Sequence, residues 1–527
     1  MGVVATMSPS PPVIRIAIAF GILFAGLLYY QKLRARSKAP LPPGPKGEPI
    51  IGHLRIIPKS HPEYQYTQWG KDYGSDVLYF NVLGRPIIVL NSVEACHDLL
   101  DKRGPNYNDR PRFVLFEVMG WGITLTFLRW GKRFKLHRKL MQSSFTQSAC
   151  KSYRPIQEQE ARLAVKEILA NPPDWESLLR KYATAVVLRI GFGLGVSQKD
   201  DPYVKMVLDA EEATGKGGVP GASVVDFFPA LRYLPTWLLK LNVLEHARVS
   251  KAYIQKLHDA PWEATEAEIR NRQAALPSFM RTHLERYLEN EKSGKVNEAT
   301  IADIKGAAGA ISIAGANTSW STIMVCILNL LLHPEIQRKA RAEIDAVVGT
   351  DRLPGFEDRE NLPYIEQILQ ETTRWCPLSP LGVPHATLED DIYKGMLIPK
   401  GSVVFANAYA MTHDERVYSD PDAFNPDRYT PTDQGGRGEP LPEGSFGFGR
   451  RVCPGQWLAM AGVYIMVATL LATVDMCPAV GSDGNEIAPS VSFTDGLSNV
   501  PDSFGCVMKL RSERARQLLE EWSDQVH

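Results

Sequence analysis

Phe446-Gly447-Phe448-Gly449-Arg450-Arg451-Val452-Cys453-Pro454-Gly455 is the stretch on which the reading of this chain turns. A lone cysteine stands between glycines, an aromatic residue precedes it, and a basic residue sits two positions ahead of the sulfur. A thiolate that ligates a metal needs positive charge and backbone N–H groups around it, because both favour ionised sulfur. Gly449 and Gly455 would let backbone approach a large flat cofactor and would permit positive φ. Phe446 can pack over the face of such a cofactor, and Arg451 can pair with a carboxylate at its edge. The pattern suits a haem held by one Cys thiolate.

The window resembles the haem-binding signature of the cytochrome P450 family, Phe-x-x-Gly-x-Arg-x-Cys-x-Gly, and every fixed position matches. The resemblance implies haem b, with Cys453 as the axial iron ligand and Phe446, Gly449, Arg451 and Gly455 as cofactor-binding residues. A buried Cys in an arbitrary context is a small inert hydrophobe. The matched positions around Cys453 favour the ligand.

The whole chain sets bounds. It has 527 residues, with 59 basic and 59 acidic side chains. Zero net charge gives no electrostatic case for nucleic acid, which calls for a basic excess or patch. Length alone would suggest about three domains, but no Gly/Ser linker or composition break divides the chain beyond its N-terminal segment. One large catalytic domain is expected. The seven cysteines are scattered and never form a C-x-x-C pair, which argues against a disulfide scaffold or structural zinc.

Residues 1–12 read as a tail and 13–30 as a membrane anchor, an apolar run broken only by Arg15. The run is at the short end of the roughly 17–25 residues a span needs. Lys32, Arg34, Arg36 and Lys38 follow it, and no charged side chain precedes Arg15. By the positive-inside rule the remainder faces the cytosol. A cleaved signal peptide would have leading charge and a shorter apolar core. Residues 31–52 form a basic, Pro-rich hinge, stiffened by Pro40, Pro42, Pro43, Pro45 and Pro49. Residues 53–527 form the catalytic domain. A single-pass protein of the endoplasmic reticulum is expected.

Short β-type runs at 76–82 and 86–90 flank Gly84-Arg85 and predict a hairpin. Val403 to Tyr409 and Val507 to Leu510 predict further strands, and helical patterns dominate from Ser92 onward. The expected fold class is mainly α with a small β region, the cytochrome P450 fold, preceded by one N-terminal transmembrane helix. No G-x-G-x-x-G opens a βαβ unit, so no dinucleotide or flavin domain is expected within the chain.

Thr300 to Leu332 predicts one long helix whose middle is crowded with small residues, Gly306, Gly309 and Gly315 among them. Glycine costs about 1 kcal/mol against alanine inside a helix, so these positions need a reason. Close approach to a flat group and tight helix–helix packing are both open from the residues alone. Ala314-Gly315-Ala316-Asn317-Thr318-Ser319 resembles the family's central-helix motif except at its acid, and that resemblance implies an oxygen-binding groove. It also implies catalytic roles for Thr318, which would handle protons, and for Asn317, which stands where relatives carry the acid. An amide hydrogen-bonds but does not exchange a proton at ordinary pH.

Glu371-Thr372-Thr373-Arg374 places an acid and a base on one helix face. Alone it would read as a solvated ion pair worth less than about 1 kcal/mol. Followed by Pro426-Asp427-Arg428-Tyr429 and then the cysteine window, it resembles the family's structural brace, which implies that Glu371, Arg374 and Arg428 support the Cys loop. Trp130 to Arg138 resembles the family's Trp-x-x-x-Arg helix with Phe134 at the Trp position. This implies cofactor contacts from Arg138, helped by His137, and His385 stands where relatives bind a propionate.

The resemblance implies a monooxygenase that oxidises a small lipophilic substrate, a terpenoid or aromatic natural product, with O2 and electrons from an NADPH-dependent cytochrome P450 reductase. The subgroup it most resembles is fungal, membrane-anchored and biosynthetic. Lys132, Arg133, Lys135, Lys139 and Arg450 are candidates for the reductase-docking face. Pocket candidates are Phe113 to Trp121, Phe227 to Trp237, Ile313, Ala314, Leu378 to Val383 (Leu381 and Val383 included) and Leu497, mostly apolar. Two other readings stay open: a haem-thiolate isomerase or dehydratase that needs no reductant, and a non-catalytic haem-binding membrane protein.

Overall fold

The computed structural model describes residues 39–196, 201–235, 242–271 and 276–526. The expected tail, the anchor and residues 31–38 of the hinge lie outside these residues. Within them the chain is mainly helical, with small sheets.

Near the N-terminal end of the described chain, strands β1 (Val77–Val82) and β2 (Arg85–Leu90) pair antiparallel. Leu83 (φ 50°) and Gly84 (φ 85°) form the two-residue turn. Positive φ at both positions matches the twist of the strands. The hairpin therefore turns one residue earlier than the sequence suggests, and Arg85 pairs with Val82.

The principal helices follow: α1 (Lys132–Phe145), α2 (Arg154–Ala170), α3 (Trp175–Phe192), α4 (Pro202–Gly215), α5 (Asn242–Arg270), α6 (Phe279–Lys292), α7 (Ile301–Leu332), α8 (Pro334–Val347) and α9 (Pro363–Trp375). Strand β3 (His385–Ala386) and strand β4 (Val403–Ala406) complete the first sheet in the order β1-β2-β4-β3, with β4 parallel to β2. Helix α10 (Gln456–Thr473) runs directly into β5 (Val474–Val480), which pairs with β6 (Cys506–Leu510).

Helix α7 is the central rod. It starts where expected because Thr300 and Asp303 form a capping box. The Thr300 hydroxyl accepts from the Asp303 N–H at 3.2 Å, and the Asp303 carboxylate accepts from the Thr300 N–H at 3.0 Å. Helices α7 and α10 are long and apolar enough to cross a membrane, yet both are largely buried as core helices of the bundle. Most apolar side chains of the bundle form one core, and smaller clusters cover the two faces of the first sheet.

The expected strand from Val403 to Tyr409 ends at Ala406. The Asn407 side chain accepts from the Ala410 N–H at 3.2 Å and starts a short helix instead.

The brace around Glu371 is the most constrained part of the fold. Glu371, Arg374 and Arg428 have side chains 0% exposed. Arg374 donates twice to Glu371, at 2.8 and 2.9 Å, and Arg428 donates at 3.0 Å. The Asn425 N–H (2.8 Å) and the Tyr429 hydroxyl (2.9 Å) also donate to that carboxylate. The remaining guanidinium N–H groups meet the carbonyls of Thr412, Ser419, Asp420, Pro421 and Ala423. Glu439, not legible in the sequence as a member, accepts from Arg428 at 2.6 Å and balances the charge. The ion pair is thus not solvated. Removing one member of such a buried pair typically costs about 3–5 kcal/mol, because it leaves an uncompensated charge.

Replacing Glu371 with Ala should therefore destabilise the protein by about 3 kcal/mol or more in urea unfolding. Tyr429→Phe, which removes one hydrogen bond to the same carboxylate, should cost only about 1 kcal/mol. Equal losses from the two changes would contradict this account.

Candidate functional site

The brace passes its rigidity to the cysteine loop. The Ser445 hydroxyl donates to the Thr373 carbonyl of α9 at 3.0 Å. The loop then turns, and the Cys453 N–H donates to the Phe446 carbonyl at 2.8 Å. Phe448 is buried in the cluster with Leu99, Leu100 and Val404. Gly449 has φ 59°, and a side chain there would collide with the Leu100 carbonyl. Its space is therefore taken by the neighbouring chain segment, so packing and positive φ account for this glycine without a cofactor. Gly455 is less crowded; a Cβ there would lie 3.9 Å from the Cys453 sulfur.

Cys453 is half-buried and is followed at once by the N-terminus of α10. Burial pushes its thiol up, while the backbone N–H groups of Gly455 and Gln456 and the charge of Arg138 pull it down. Arg138 is held in place by donating to the Val452 carbonyl at 2.6 Å. Burial is the larger influence, so the free thiol lies above its ordinary value, and the amides and Arg138 are the groups that would favour a thiolate on a bound metal.

A group of cationic side chains accompanies this loop. Arg451 is buried; its Nε donates to the Asn108 carbonyl at 2.8 Å, and its guanidinium lies 3.7 Å from the Phe134 ring centre. Phe134 thus contributes an aromatic face to a cation, a contact that needs no indole N–H. Burial pushes Arg451 down to about 9, with Asp109 opposing and Arg138 adding to the fall. Arg110 is also buried and donates to the carbonyls of Val383 and Pro384. Buried His385 sits in the same field, its Nδ1 at 2.9 Å from the Tyr107 carbonyl. Burial depresses His385, and Arg110 and Arg451 depress it further.

Both terminal nitrogens of Arg451 and the Nε of Arg110 are buried without a hydrogen-bond partner. Two neighbouring buried guanidinium groups with unmet N–H donors are costly unless an anion joins them. Asp109, the nearby acid, already holds Arg129 and the Trp130 N–H. The donor set fits a ligand that brings carboxylates to Arg110, Arg451 and His385 while presenting a metal to Cys453. Haem b meets both demands. Sequence reasoning missed Arg110, because no motif or periodicity marks it. It joins the site through contacts with a loop some 270 residues away.

His137 does not join this group. Its Nε2 lies 3.0 Å from the Asp303 carboxylate on α7, and Arg133 donates to the same carboxylate at 2.7 Å. Neighbouring helical residues point about 100° apart. Arg138 faces the Cys loop, so His137 faces α7. Burial would raise Asp303, but Thr300, His137 and Arg133 hold it well below the usual carboxylate range.

The glycines of α7 resolve toward packing. A Cβ at Gly306 would collide with the Ile123 carbonyl. One at Gly309 would lie 2.5 Å from the His258 ring, and one at Gly315 would lie 2.7 Å from a Val187 methyl. The helix runs unbroken from Ile301 to Leu332. Ala314 is nonetheless exposed, and Ile313, Asn317 and Thr318 are partly so, in the middle of a rod whose flanks are buried. Ala314 and Thr318 lie one turn apart, and the Thr318 hydroxyl donates to the Ala314 carbonyl at 2.5 Å.

The pocket candidates are drawn from separate elements. Phe113 is buried against Phe116 and Phe127. Val383 packs on the main core and Leu381 on the sheet cluster. Leu497 belongs to a segment tied to the Leu378 loop, where the Asn499 N–H donates to the Leu378 carbonyl at 2.7 Å. Thr236 and Trp237 lie outside the described residues.

The Cytochrome P450 family model matches residues 42–494. Cytochrome P450 monooxygenase 105 of Postia placenta is 35% identical over 509 residues, covering 96% of each chain. Cytochrome P450 monooxygenase claR of Ampulloclitocybe clavipes is 37% identical, covering 97% of this chain and 93% of its own. Tryptamine 4-monooxygenase of Psilocybe cyanescens is 33% identical, covering 93% of this chain and 97% of its own. With the family model matched over residues 42–494 and relatives matched along nearly the whole length, the chain belongs to the cytochrome P450 family, as an oxidoreductase of the monooxygenase type.

Proposed function

We propose that this protein inserts oxygen into a small lipophilic natural product, a terpenoid or an aromatic compound, in fungal secondary metabolism. The observation that carries the reading is the pairing of the Cys453 loop with the buried, unmatched guanidinium groups of Arg451 and Arg110. When bound, haem supplies the oxygen chemistry that side chains cannot perform. Cys453 would ligate its iron, and Arg110, Arg451 and His385 would hold its carboxylates. Arg138 and the backbone N–H groups of Gly455 and Gln456 oppose the rise that burial imposes on the Cys453 thiol. Phe446, Gly449 and Gly455 shape the loop around it.

Thr318 holds a proton on its Oγ1 at the accessible middle of α7. Asn317 beside it orients by hydrogen bonding but does not act as an acid or base at ordinary pH. Phe113, Ile313, Ala314, Leu381, Val383 and Leu497 present apolar surface, which favours a lipophile. The aromatic substrate named for the Psilocybe relative is compatible with this class.

Electrons would come from a separate NADPH-dependent reductase. Lys132, Arg133, Lys135, Lys139 and Arg450 are all exposed and are the docking candidates. Arg133 and Lys139 already pair with Asp303 and Glu298, so Lys132, Lys135 and Arg450 are the better probes. Residues 13–30 would tether the domain to the endoplasmic reticulum membrane, cytosolic side, through the basic, Pro-rich hinge.

The dithionite-reduced protein with carbon monoxide should give a strongly red-shifted Soret band, and Cys453→Ala should lose it. A histidine-type band in folded wild-type protein would overturn the reading. With reductase, NADPH, O2 and a panel of terpenes and indoles, oxygenated product should form only when NADPH is present. Arg451→Ala and Arg110→Ala should each release haem to apomyoglobin about tenfold faster or more, equivalent to losing about 1.5 kcal/mol or more of charge-assisted hydrogen bonding. Unchanged release would remove these residues from the cradle.

A further inference from the structure

Asn317 leaves the centre of α7 without an acid, yet a carboxyl approaches that point from another helix. Glu211 lies on α4, where α4 packs against α3 and α7. Its Oε1 is buried and has no hydrogen-bond partner. Two groups from neighbouring helices favour its ionised form: the Arg180 guanidinium of α3 and, next to it in strength, the backbone N–H of Asn317. Arg180 is itself stacked on Trp320 of α7, 3.8 Å from the ring centre, and so is held at this junction.

We propose that Glu211 is the proton-holding carboxyl of this enzyme, standing in from α4 for the acid that Asn317 cannot be, and that it supplies protons to Thr318 past the Asn317 side chain. The inference rests on the monooxygenase reading above. In each cycle a proton leaves the Glu211 carboxyl, moves through hydrogen-bonded water toward Thr318 Oγ1, and leaves a carboxylate beside Arg180. A proton from bulk water then restores the acid, so charge and atoms balance. Glu211 acts through Asn317 and Thr318 and is a positioning and relay residue.

The environment matches that duty. Burial pushes Glu211 up to about 7, against the opposing pull of Arg180 and the Asn317 amide. A group with its pKa near the working pH is loaded and still able to give up its proton. Below about 7 the carboxyl is neutral, and above it the carboxylate prevails. The other titratable groups near this stretch of α4 are engaged elsewhere. Glu212 pairs with Lys216 at 2.5 Å, and His246 of α5 lies 2.8 Å from the Ala213 carbonyl. Glu211 has no counterpart in the signature motifs, so nothing in the linear sequence marks it.

The test uses the full-length, haem-loaded protein and its Glu211→Gln, Glu211→Asp and Glu211→Gln/Asn317→Asp variants. Infrared difference spectra between about pH 6 and about pH 8 should show a protonated-carboxyl stretch that titrates near neutrality and is missing in Glu211→Gln. This readout needs neither reductase nor substrate. With reductase and NADPH, Glu211→Gln should consume NADPH about tenfold more slowly or worse and lose the decline above neutral pH. Glu211→Asp and the double variant, which return a carboxyl to the junction, should recover much of the rate. The carbon monoxide spectrum of each variant checks that the haem site is intact. Absence of the titrating band, or Glu211→Gln turning over like wild type, would overturn the proposal. A wild-type protein that shows the band but never consumes NADPH would instead count against the monooxygenase reading and, with it, the relay.

Discussion

The rest of the structure depends on the buried carboxylate of Glu371. Two guanidinium groups, a backbone amide and a tyrosine hydroxyl converge on its two oxygens. Such a cluster is tolerated away from water only because nearly every donor is met and Glu439 balances the second arginine. Its function is geometric. Arg374 and Arg428 gather the carbonyls of Thr412 and of the stretch from Ser419 to Ala423, and the Ser445 contact ties the end of α9 to the segment that enters the Cys453 loop. A loop that must hold a thiolate in one place needs support of this kind, because a loop has no hydrogen-bond ladder of its own.

The cationic cradle is the opposite case. Arg110 and Arg451 are buried with donors left unmet, a cost that an anionic ligand would relieve. Unmet guanidinium nitrogens also occur at Arg85, Arg162, Arg189, Arg281 and Arg341, so it is their place beside the Cys453 loop that marks Arg110 and Arg451. Arg374 and Arg428 are matched by the protein itself, whereas Arg110 and Arg451 are not.

The central helix shows how one sequence feature can serve two ends. Its glycines are filled by Ile123, His258 and Val187, so they are packing positions that let α7 lie deep in the bundle. The accessible face at Ala314 and Thr318 lies within the same stretch of small side chains. In the proposed relay, Glu211 of α4 supplies the carboxyl that Asn317 is not.

The linear sequence by itself determined the elements whose signals are local. These are the cysteine window, the hairpin from Val77 to Leu90, the long helix from Thr300 to Leu332, and the Glu371–Arg374 pair one turn apart. Periodicity, caps and short motifs act between residues close in the chain, so they can be read without a fold. Tertiary structure alone decided that Arg110 joins Arg451 and His385, that His137 turns to Asp303, that Gly449 packs on Leu100, that Glu439 completes the brace and that an oxygen of Glu211 is buried without a partner. Each of these is a meeting of side chains or backbone from different elements. Burial and the charge of distant neighbours, not the identity of adjacent residues, set what those groups do.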